Sequence, residues 1–427
     1  MYAERNDNTE DFSLAERVAM PEAGSVVAVG LSGGVDSAAA ALLLKEHGCR
    51  VIGVTMSSWN NDLAFPPSET GARISCYSPD EKTDIARCAD FCAEHGIEYR
   101  VIDVKEAYKT FVLDYFKKEY RAGRTPNPCV HCNRHVKFGA LPDGIRAAGV
   151  DFDYFCTGHY AALVRPALPL DELYRRFSPD GEARVQKPAG VYGAKHTACG
   201  ADADRRMSKL RPPMICAAKD VRKDQTYFLH RVPSAVLEQV RFPLGGFTKS
   251  EIFDFARSRN LASAARKESQ DFIPAQYLDI VFADQKAVCG DIVDLNGTVL
   301  GRHRGIERYT VGQRRGLGVS ANKPLYVHSI DARQNRIVLA QEDDLSACAL
   351  EADSWVWAGD YAPEHEFTAR VKIRLASASA QARIVPCGNG VYRIFFEKPQ
   401  RAVAPGQSAV VYLNGMIAGG GIISRSL

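Results

Sequence analysis

The chain of 427 residues contains no run of eighteen apolar residues, so it offers no segment able to cross a bilayer as a helix. Its first residues lack the apolar centre of a secretory signal: Glu4, Asp7 and Glu10 are spread through a polar lead, and the expected location is the cytoplasm, away from membranes. Internal repeats and low-complexity tracts are missing too, which argues against solenoids and arrays. There is no excess charge of one sign. With a formal net charge of +3, any nucleic-acid surface has to arise from local clustering rather than from the overall field. Twelve cysteines without a secretion signal argue against a disulfide framework and for buried thiols with a few catalytic, redox or metal-binding exceptions. What remains, 46% apolar and 25% charged residues, is a globular composition on a length that allows two or three domains.

The densest stretch is Ser25-Val-Val-Ala-Val-Gly-Leu-Ser-Gly-Gly-Val-Asp-Ser37. Ser25 to Leu31 is a short, β-branched, nearly continuous apolar run, the pattern of a strand buried on both faces. Ser32, Gly33 and Gly34 form a turn in which glycine permits positive φ and close approach of another molecule. Val35 to His47, rich in Ala and Leu and closed by Gly48, predicts a helix. Strand, turn and helix N-terminus together make an anion site. No Lys-Ser/Thr follows the glycines, so this is not the Walker loop. A carboxylate at Asp36 adds negative charge, which makes sense beside phosphates if Mg²⁺ bridges the two. The six residues resemble instead the SGGxDS signature of the PP-loop ATP pyrophosphatases, which release AMP and pyrophosphate from ATP.

From Ser25 onward strand-like and helix-like segments alternate. Strands are expected at Val27–Gly30, Val51–Met56, Tyr99–Asp103 and Phe152–Thr157, and helices at Asp80–His95 and Ala107–Tyr120. That alternation predicts an α/β domain, a doubly wound parallel sheet with ligands at the carboxyl ends of its strands. Met56 ends one strand, where it lies against an adenine or simply in the core. Residues 1–24 read as a flexible lead and 161–213, with their Pro, Gly and mixed charge, as a long excursion. Thr248 caps a helix running through Ser258. After about Ala275 the pattern changes to short alternating strands, among them Asp291–Val299, Ile306–Thr310, Tyr326–Ile330, Ile337–Leu339, Ala369–Ile373, Arg383–Val385, Val391–Phe396 and Ala409–Leu413, with turn signals at Asp294-Leu-Asn-Gly297 and Cys387-Gly-Asn-Gly390. The expected organisation is a lead (1–24), an α/β domain (25–274), a mainly β central domain (275–345) and a C-terminal β-barrel (346–427).

A second dense stretch is Arg121-Ala-Gly-Arg-Thr-Pro-Asn-Pro-Cys-Val-His-Cys-Asn-Arg-His-Val-Lys-Phe138. Prolines on both sides of Asn127 fix an extended backbone. Cys129 and Cys132 then stand one helical turn apart, with Arg121, Arg124, Arg134 and Lys137 around them in sequence. Cations in such positions lower a thiol pKa and also suit a phosphate backbone. No second half of a zinc site follows. His131 and His135 are open to two readings, as ligands or as exposed helix histidines. Phe155-Cys-Thr-Gly-His-Tyr160 closes a strand with Gly158 and His159 at its carboxyl end, and Lys223-Asp-Gln-Thr-Tyr-Phe228 sets a cation, a carboxylate and an amide before an aromatic pair.

Taken in order, LSGGVDS (31–37), GVTM (53–56), RTPNPxxxCNRHVKF (124–138), TGHYA (157–161), KDQTYFL (223–229), FPLGGFTKSEI (242–252), KESQD (267–271), YTVGQRRGLG (309–318), KIR (372–374) and PGQSAV (405–410) resemble the tRNA-specific 2-thiouridylase family over nearly the whole chain. The resemblance implies a PP-loop, adenine nucleotide α-hydrolase-like first domain. It implies ATP, with Mg²⁺, on Gly30, Leu31, Ser32, Gly33, Gly34, Val35, Asp36, Ser37, Met56 and Gly158. Cys132 matches the family's nucleophile; Asn127, Pro128 and Cys129 match the segment that meets the target base. His159, Lys223, Asp224, Gln225, Arg374, Leu375 and Gln407 fall where the family touches tRNA, held by its anticodon arm. The implied chemistry is adenylation of the uracil O2 of a wobble uridine, then sulfur attack at C2 with loss of AMP, the sulfur coming from a donor or relay protein.

Two positions depart from the family pattern. Cys129 stands where Asp is usual, and Ile273, in Lys267-Glu-Ser-Gln-Asp-Phe-Ile-Pro274, stands where the persulfide-carrying cysteine is usual. Isoleucine holds no sulfane sulfur, so the sulfur chemistry is expected to be relocated. Either Cys129 and Cys132 carry and resolve a persulfide between them, or they ligate an iron–sulfur cluster with a third cysteine, Cys216 or Cys156. Competing readings are another PP-loop ligase or amidotransferase acting on a small metabolite, and a tRNA-binding relative without catalysis. The RTPNPxxxCN segment and the β half speak against the first; the intact loop and the gained thiol speak against the second.

Overall fold

The computed structural model describes residues 14–66, 75–179, 185–186, 210–265 and 272–427. A five-stranded parallel sheet forms the first domain, in the order Glu98–Asp103, Arg50–Ser57, Val26–Gly30, Tyr154–Thr157, Val240–Arg241. The period-2 alternation of Val26–Gly30 sends Val27 and Val29 to one face, against Leu42, Leu44 and Ala256, and Ala28 to the other, with Phe138, Leu141 and Phe155. Helices Val35–Glu46 and Lys249–Ser258 therefore cover one face, and helical runs over 105–121 and 128–147 the other. The strand order reverses beside Val26–Gly30, whose Gly30 is in register with Thr157. In such sheets the crevice at the reversal is where ligands bind.

The central unit is a four-stranded sheet ordered Val299–His303, Gly290–Val293, Arg336–Ala340, Tyr326–Asp331 around Ile292, Tyr309, Val327, Ile337 and Leu339. Two expectations change here. The run 291–299 is not one strand but splits at its own turn, where the Asp294 carboxylate accepts hydrogen bonds from Asn296 N (2.9 Å) and Thr298 N (2.8 Å) and Gly297 takes φ +87°. The expected strand 306–310 is instead a 3₁₀ turn, Ile306–Arg308, that follows Gly305 at φ +120°.

Six antiparallel strands close the C-terminal barrel: Ser346–Trp357, Tyr392–Arg401, Ala380–Pro386, Phe367–Lys372, Ser408–Leu413 and Met416–Ser426, the last pairing back to the first. The same sheet continues outward through Met214–Cys216 and Ala162–Pro166 to Ala15–Arg17. The expected lead contains the strand Ala15–Arg17, and the expected 161–213 excursion opens with the strand Ala162–Pro166 and is followed by Met214–Cys216, so that these strands tie the first domain to the barrel. Residues 1–13, 180–184 and 187–209 and the KESQD segment (267–271) lie outside the described residues.

Candidate nucleotide and thiol site

The turn after Val26–Gly30 is shaped by its own side chains. Ser37 Oγ donates to Gly34 O (3.0 Å) and accepts from Ser32 N (3.2 Å), folding the loop over the first helical turn. Gly33 takes φ +76°, a conformation that only glycine adopts at no cost. Gly34 is the N-cap and supplies no side-chain acceptor, so the first-turn N–H groups face the crevice. Leu31 N–H donates to Val54 O (2.7 Å), and Thr55 Oγ1 donates to Leu31 O (3.1 Å), pinning the loop entry to the neighbouring strand.

Asp36 is not left to a cation alone. Both carboxylate oxygens accept from Lys249 Nζ (2.7 and 2.8 Å), and one also accepts from Tyr160 OH (2.9 Å). Lys249 is buried under Phe253 and Tyr160, its Nζ 4.9 and 5.7 Å from their ring centroids. Sequence reading missed both partners, although they lie in the FTKSEI and TGHYA segments. Gly158 abuts the loop: a Cβ there would meet Asp36 C at 2.8 Å and Ser37 N at 2.9 Å. Met56, half-buried, packs against the apolar cluster that holds Cys132. Glu81 secures the strand beyond Met56 by accepting from Ser57 Oγ, Ser58 N, Ser58 Oγ and Trp59 N at 2.7–3.0 Å.

The thiol segment departs more from expectation. Pro128–His131 is a turn of α-helix that widens into a π-helix over Cys132–Ala140, and such widening recurs at functional sites. The surrounding cations do not ring the thiols. Arg124 is bidentate on Glu119 (both 2.6 Å), Arg121 pairs with Asp284 (2.7 Å) and Arg134 donates to Arg231 O (3.1 Å). Burial pushes the Cys129 thiol up to about 12, Cys76 nearby pushes the same way, and Lys137 opposes them. The lowered thiol pKa read from sequence is therefore corrected for Cys129. Its iodoacetamide alkylation is expected to rise about tenfold per pH unit from 7 to 10 without a plateau near the ordinary thiol value; peptide mapping of rates reads this, and a plateau by pH 9 contradicts it. Cys132 is buried. His131 and His135 are neither plain surface residues nor gathered ligands: they stack on Tyr115 (3.6 Å) and Phe111 (4.5 Å), and burial pushes His131 down to about 3.

The positions expected to meet tRNA fall into four groups. Gln407 Nε2 donates to Thr125 O (3.1 Å) and Pro126 O (2.9 Å), so the barrel holds the segment that presents buried Asn127 and Pro128. Arg374 donates to Val311 O and Ala402 O (both 2.8 Å), joining central unit to barrel, with Leu375 exposed beside it. Gln225 Oε1 accepts from Tyr160 N (2.9 Å), Asp224 accepts from Thr226 Oγ1 (2.7 Å) and Lys223 is exposed. His159 bonds Thr157 Oγ1 (2.7 Å) beside Phe138, and burial pushes its pKa well below the usual range.

Neither candidate third ligand reaches the CxxC pair. Cys216 lies in the barrel cluster with Leu413 and Met416, and Cys156 on the opposite face of the parallel sheet with Val27 and Val29. Strand alternation and sheet membership separate them from Cys132. Among the described residues no three His, Cys, Asp or Glu side chains gather as a metal ion requires, so the donor set does not fit the proposed cluster.

A glycine-rich turn and a helix N-terminus at the reversal of a parallel sheet, with an acidic residue in the helix's first turn, give the chain the α/β architecture of the PP-loop class. Residues 25–177 and 182–274 match the family described as tRNA methyl transferase HUP domain, 280–341 the tRNA methyl transferase PRC-barrel domain, and 348–423 the aminomethyltransferase beta-barrel domain. Relatives named tRNA-specific 2-thiouridylase MnmA include those of Endomicrobium trichonymphae (38% identity, 93% of this chain and 98% of the relative), Chloroflexus aurantiacus (37%, 93% and 98%) and Roseiflexus castenholzii (36%, 93% and 99%). The chain belongs to the tRNA-specific 2-thiouridylase family.

Proposed function

We propose that the chain is a tRNA-uridine 2-sulfurtransferase that uses ATP to adenylate the O2 of a wobble uridine and then places sulfur on C2, releasing AMP and pyrophosphate. The observation carrying this reading is the phosphate cradle of residues 32–37 at the sheet reversal, with Met56 and Cys132 in one apolar cluster beside it. Oriented N–H groups at a helix N-terminus stabilise charge that develops on the leaving pyrophosphate. Asp36, whose carboxylate also accepts from Lys249, would be the residue to hold Mg²⁺, and the ion would supply charge to offset the phosphates. Cys132, Cys129 and the segment Asn127–Pro128 are assigned to the base, and His159, Lys223, Asp224, Gln225, Arg374, Leu375 and Gln407 to the tRNA face. Sulfur arrives from a donor or relay protein, and the reaction runs in the cytoplasm; no helix among the described residues is long and apolar enough to cross a membrane. Methyl transfer, named in the family descriptions, has no use for a polyphosphate cradle.

A single-turnover assay with ATP·Mg²⁺, unmodified tRNA and a persulfide donor tests this, following pyrophosphate and thiouridine together. Cys132→Ala is expected to lose thiolation by about 1000-fold or more. Thiolation surviving in that variant removes Cys132 from the mechanism. Absence of both products in the wild type removes the enzyme reading.

A further inference from the structure

Asp36 takes its donors unevenly. Its Oδ1 accepts from both Lys249 Nζ (2.7 Å) and Tyr160 OH (2.9 Å), whereas Oδ2 accepts from Lys249 Nζ (2.8 Å). Each carboxylate oxygen offers about two lone pairs, so Oδ2 keeps the greater capacity for a further ligand. Which oxygen is filled depends on where Lys249 and Tyr160 are held. Both are tied to one stretch of chain, residues 219–225, from two directions.

The first arm runs through the helix Lys249–Ser258. Its opening N–H, that of Lys249, is one of the donors a helix leaves unsatisfied, and buried Asp220 accepts it through Oδ2 (3.0 Å). The other Asp220 oxygen accepts from Arg222 N (3.2 Å), and Asp220 O accepts from Lys223 N (3.0 Å). One carboxylate thus joins the turn 220–223 to the residue whose Nζ grips Asp36. Thr248 and Glu251 complete the helix start with a capping box. The second arm is a clasp of two bonds: Gln225 Oε1 accepts from Tyr160 N (2.9 Å), and Gln225 N donates to Tyr160 O (3.0 Å). It fixes the backbone of buried Tyr160, whose OH then reaches Asp36. The arms also touch each other, since Lys249 Nζ lies 5.7 Å from the Tyr160 ring centroid.

We propose that Asp220 and Tyr160 are positioning residues of the nucleotide site: through Lys249 and through the Gln225 clasp they set which oxygen of Asp36 is offered beside the phosphate loop. This rests on the thiolation reading above, which assigns ATP to that loop and tRNA to Lys223, Asp224 and Gln225. One turn of chain therefore serves both substrates. Hydrogen bonds that hold a carboxylate at its working rotation before the ligand arrives leave no reorganisation to the reaction itself. Plain packing is the competing account. It costs folded protein, whereas positioning costs nucleotide binding only where a metal ion takes part. The exposed pair of Lys219 Nζ with Glu251 (2.7 Å), on the same stretch, is the control, because surface pairs contribute little.

The test is calorimetric titration of the full-length protein with ATP, once in excess Mg²⁺ and once in EDTA, without tRNA. Tyr160→Phe and Asp220→Ala, binding with wild-type stoichiometry, are each expected to weaken ATP binding in Mg²⁺ by about tenfold, the worth of one hydrogen bond to a charged group. In EDTA the same variants stay within about twofold of wild type. Both arms end on one carboxylate, so the double variant is expected to lose about tenfold to thirtyfold, not the roughly hundredfold of independent sites. Lys219→Ala matches wild type in both buffers. Equal losses in Mg²⁺ and EDTA overturn the assignment, as do affinities within about twofold of wild type in both single variants. A double variant whose loss is the product of the singles overturns it too. Loss of binding-competent protein in both single variants decides for packing. Binding is read without tRNA or sulfur, so a wild type that shows this metal dependence yet forms no thiouridine breaks the parent reading and not this one.

Discussion

Lys249→Met is expected to destabilise the fold by about 3 kcal/mol and to abolish measurable pyrophosphate release, because it strands a largely enclosed carboxylate. Lys249 gives Asp36 two hydrogen bonds at 2.7 and 2.8 Å, with side-chain exposures of 10% and 28%. Asp36 keeps some solvent, which places the cost at the low end for a broken buried pair. Urea unfolding and single-turnover pyrophosphate release measure the two effects. The double variant Asp36→Asn/Lys249→Met separates them. Removing both charges returns most of the stability, since the two residues share one interaction, but it does not return activity if the acidic residue works beside the phosphates. A single variant that unfolds and turns over as wild type does would show the pair to be ornamental.

Gly158→Ala is the smallest change with the next largest effect. The added methyl has backbone on every near side, Asp36 C at 2.8 Å, Ser37 N at 2.9 Å and Asp36 O at 3.0 Å. No flexible side chain can yield, so the helix N-terminus proposed to receive the phosphates must move. A displacement of this size at a preorganised site costs about 100-fold in rate. Pyrophosphate release is expected to fall by that factor while far-ultraviolet circular dichroism is unchanged. Near-normal ATP turnover would mean that the loop and strand end are not coupled.

Much of the first domain was legible because its signals are local. The strand, turn and helix of residues 25–47 are each specified by neighbours within a few positions, and short apolar runs named three of the four other parallel strands to within two residues, while the two-residue edge strand Val240–Arg241 went unnamed. The barrel was harder. Its strands Ser346–Trp357 and Met416–Ser426 went unremarked, and the second carries Gly419, Gly420 and Gly421, which weaken a strand pattern. The structure explains those glycines: a Cβ would meet Trp357 at 2.2 Å, His230 at 2.1 Å and Trp355 at 2.5 Å. They are strand residues kept small by aromatic rings from elsewhere. The cations around Cys129 and Cys132 misled for the opposite reason. They are close in sequence, but Glu119 and Asp284 hold two of them.

By itself the sequence determined the parallel α/β start, the glycine-rich loop, the CxxC pair and, through motif order, the family. Those are short-range facts, written in backbone preference and in the spacing of a few side chains. Only the tertiary structure decided that Lys249 neutralises Asp36 across 213 positions, that Gln407 of the barrel holds the RTPNP segment of the first domain, and that Glu119 and Asp284 take the cations next to the CxxC pair. Each of these depends on which elements pack together after the sheet and barrel close, and burial then sets the charge state that local sequence suggested wrongly.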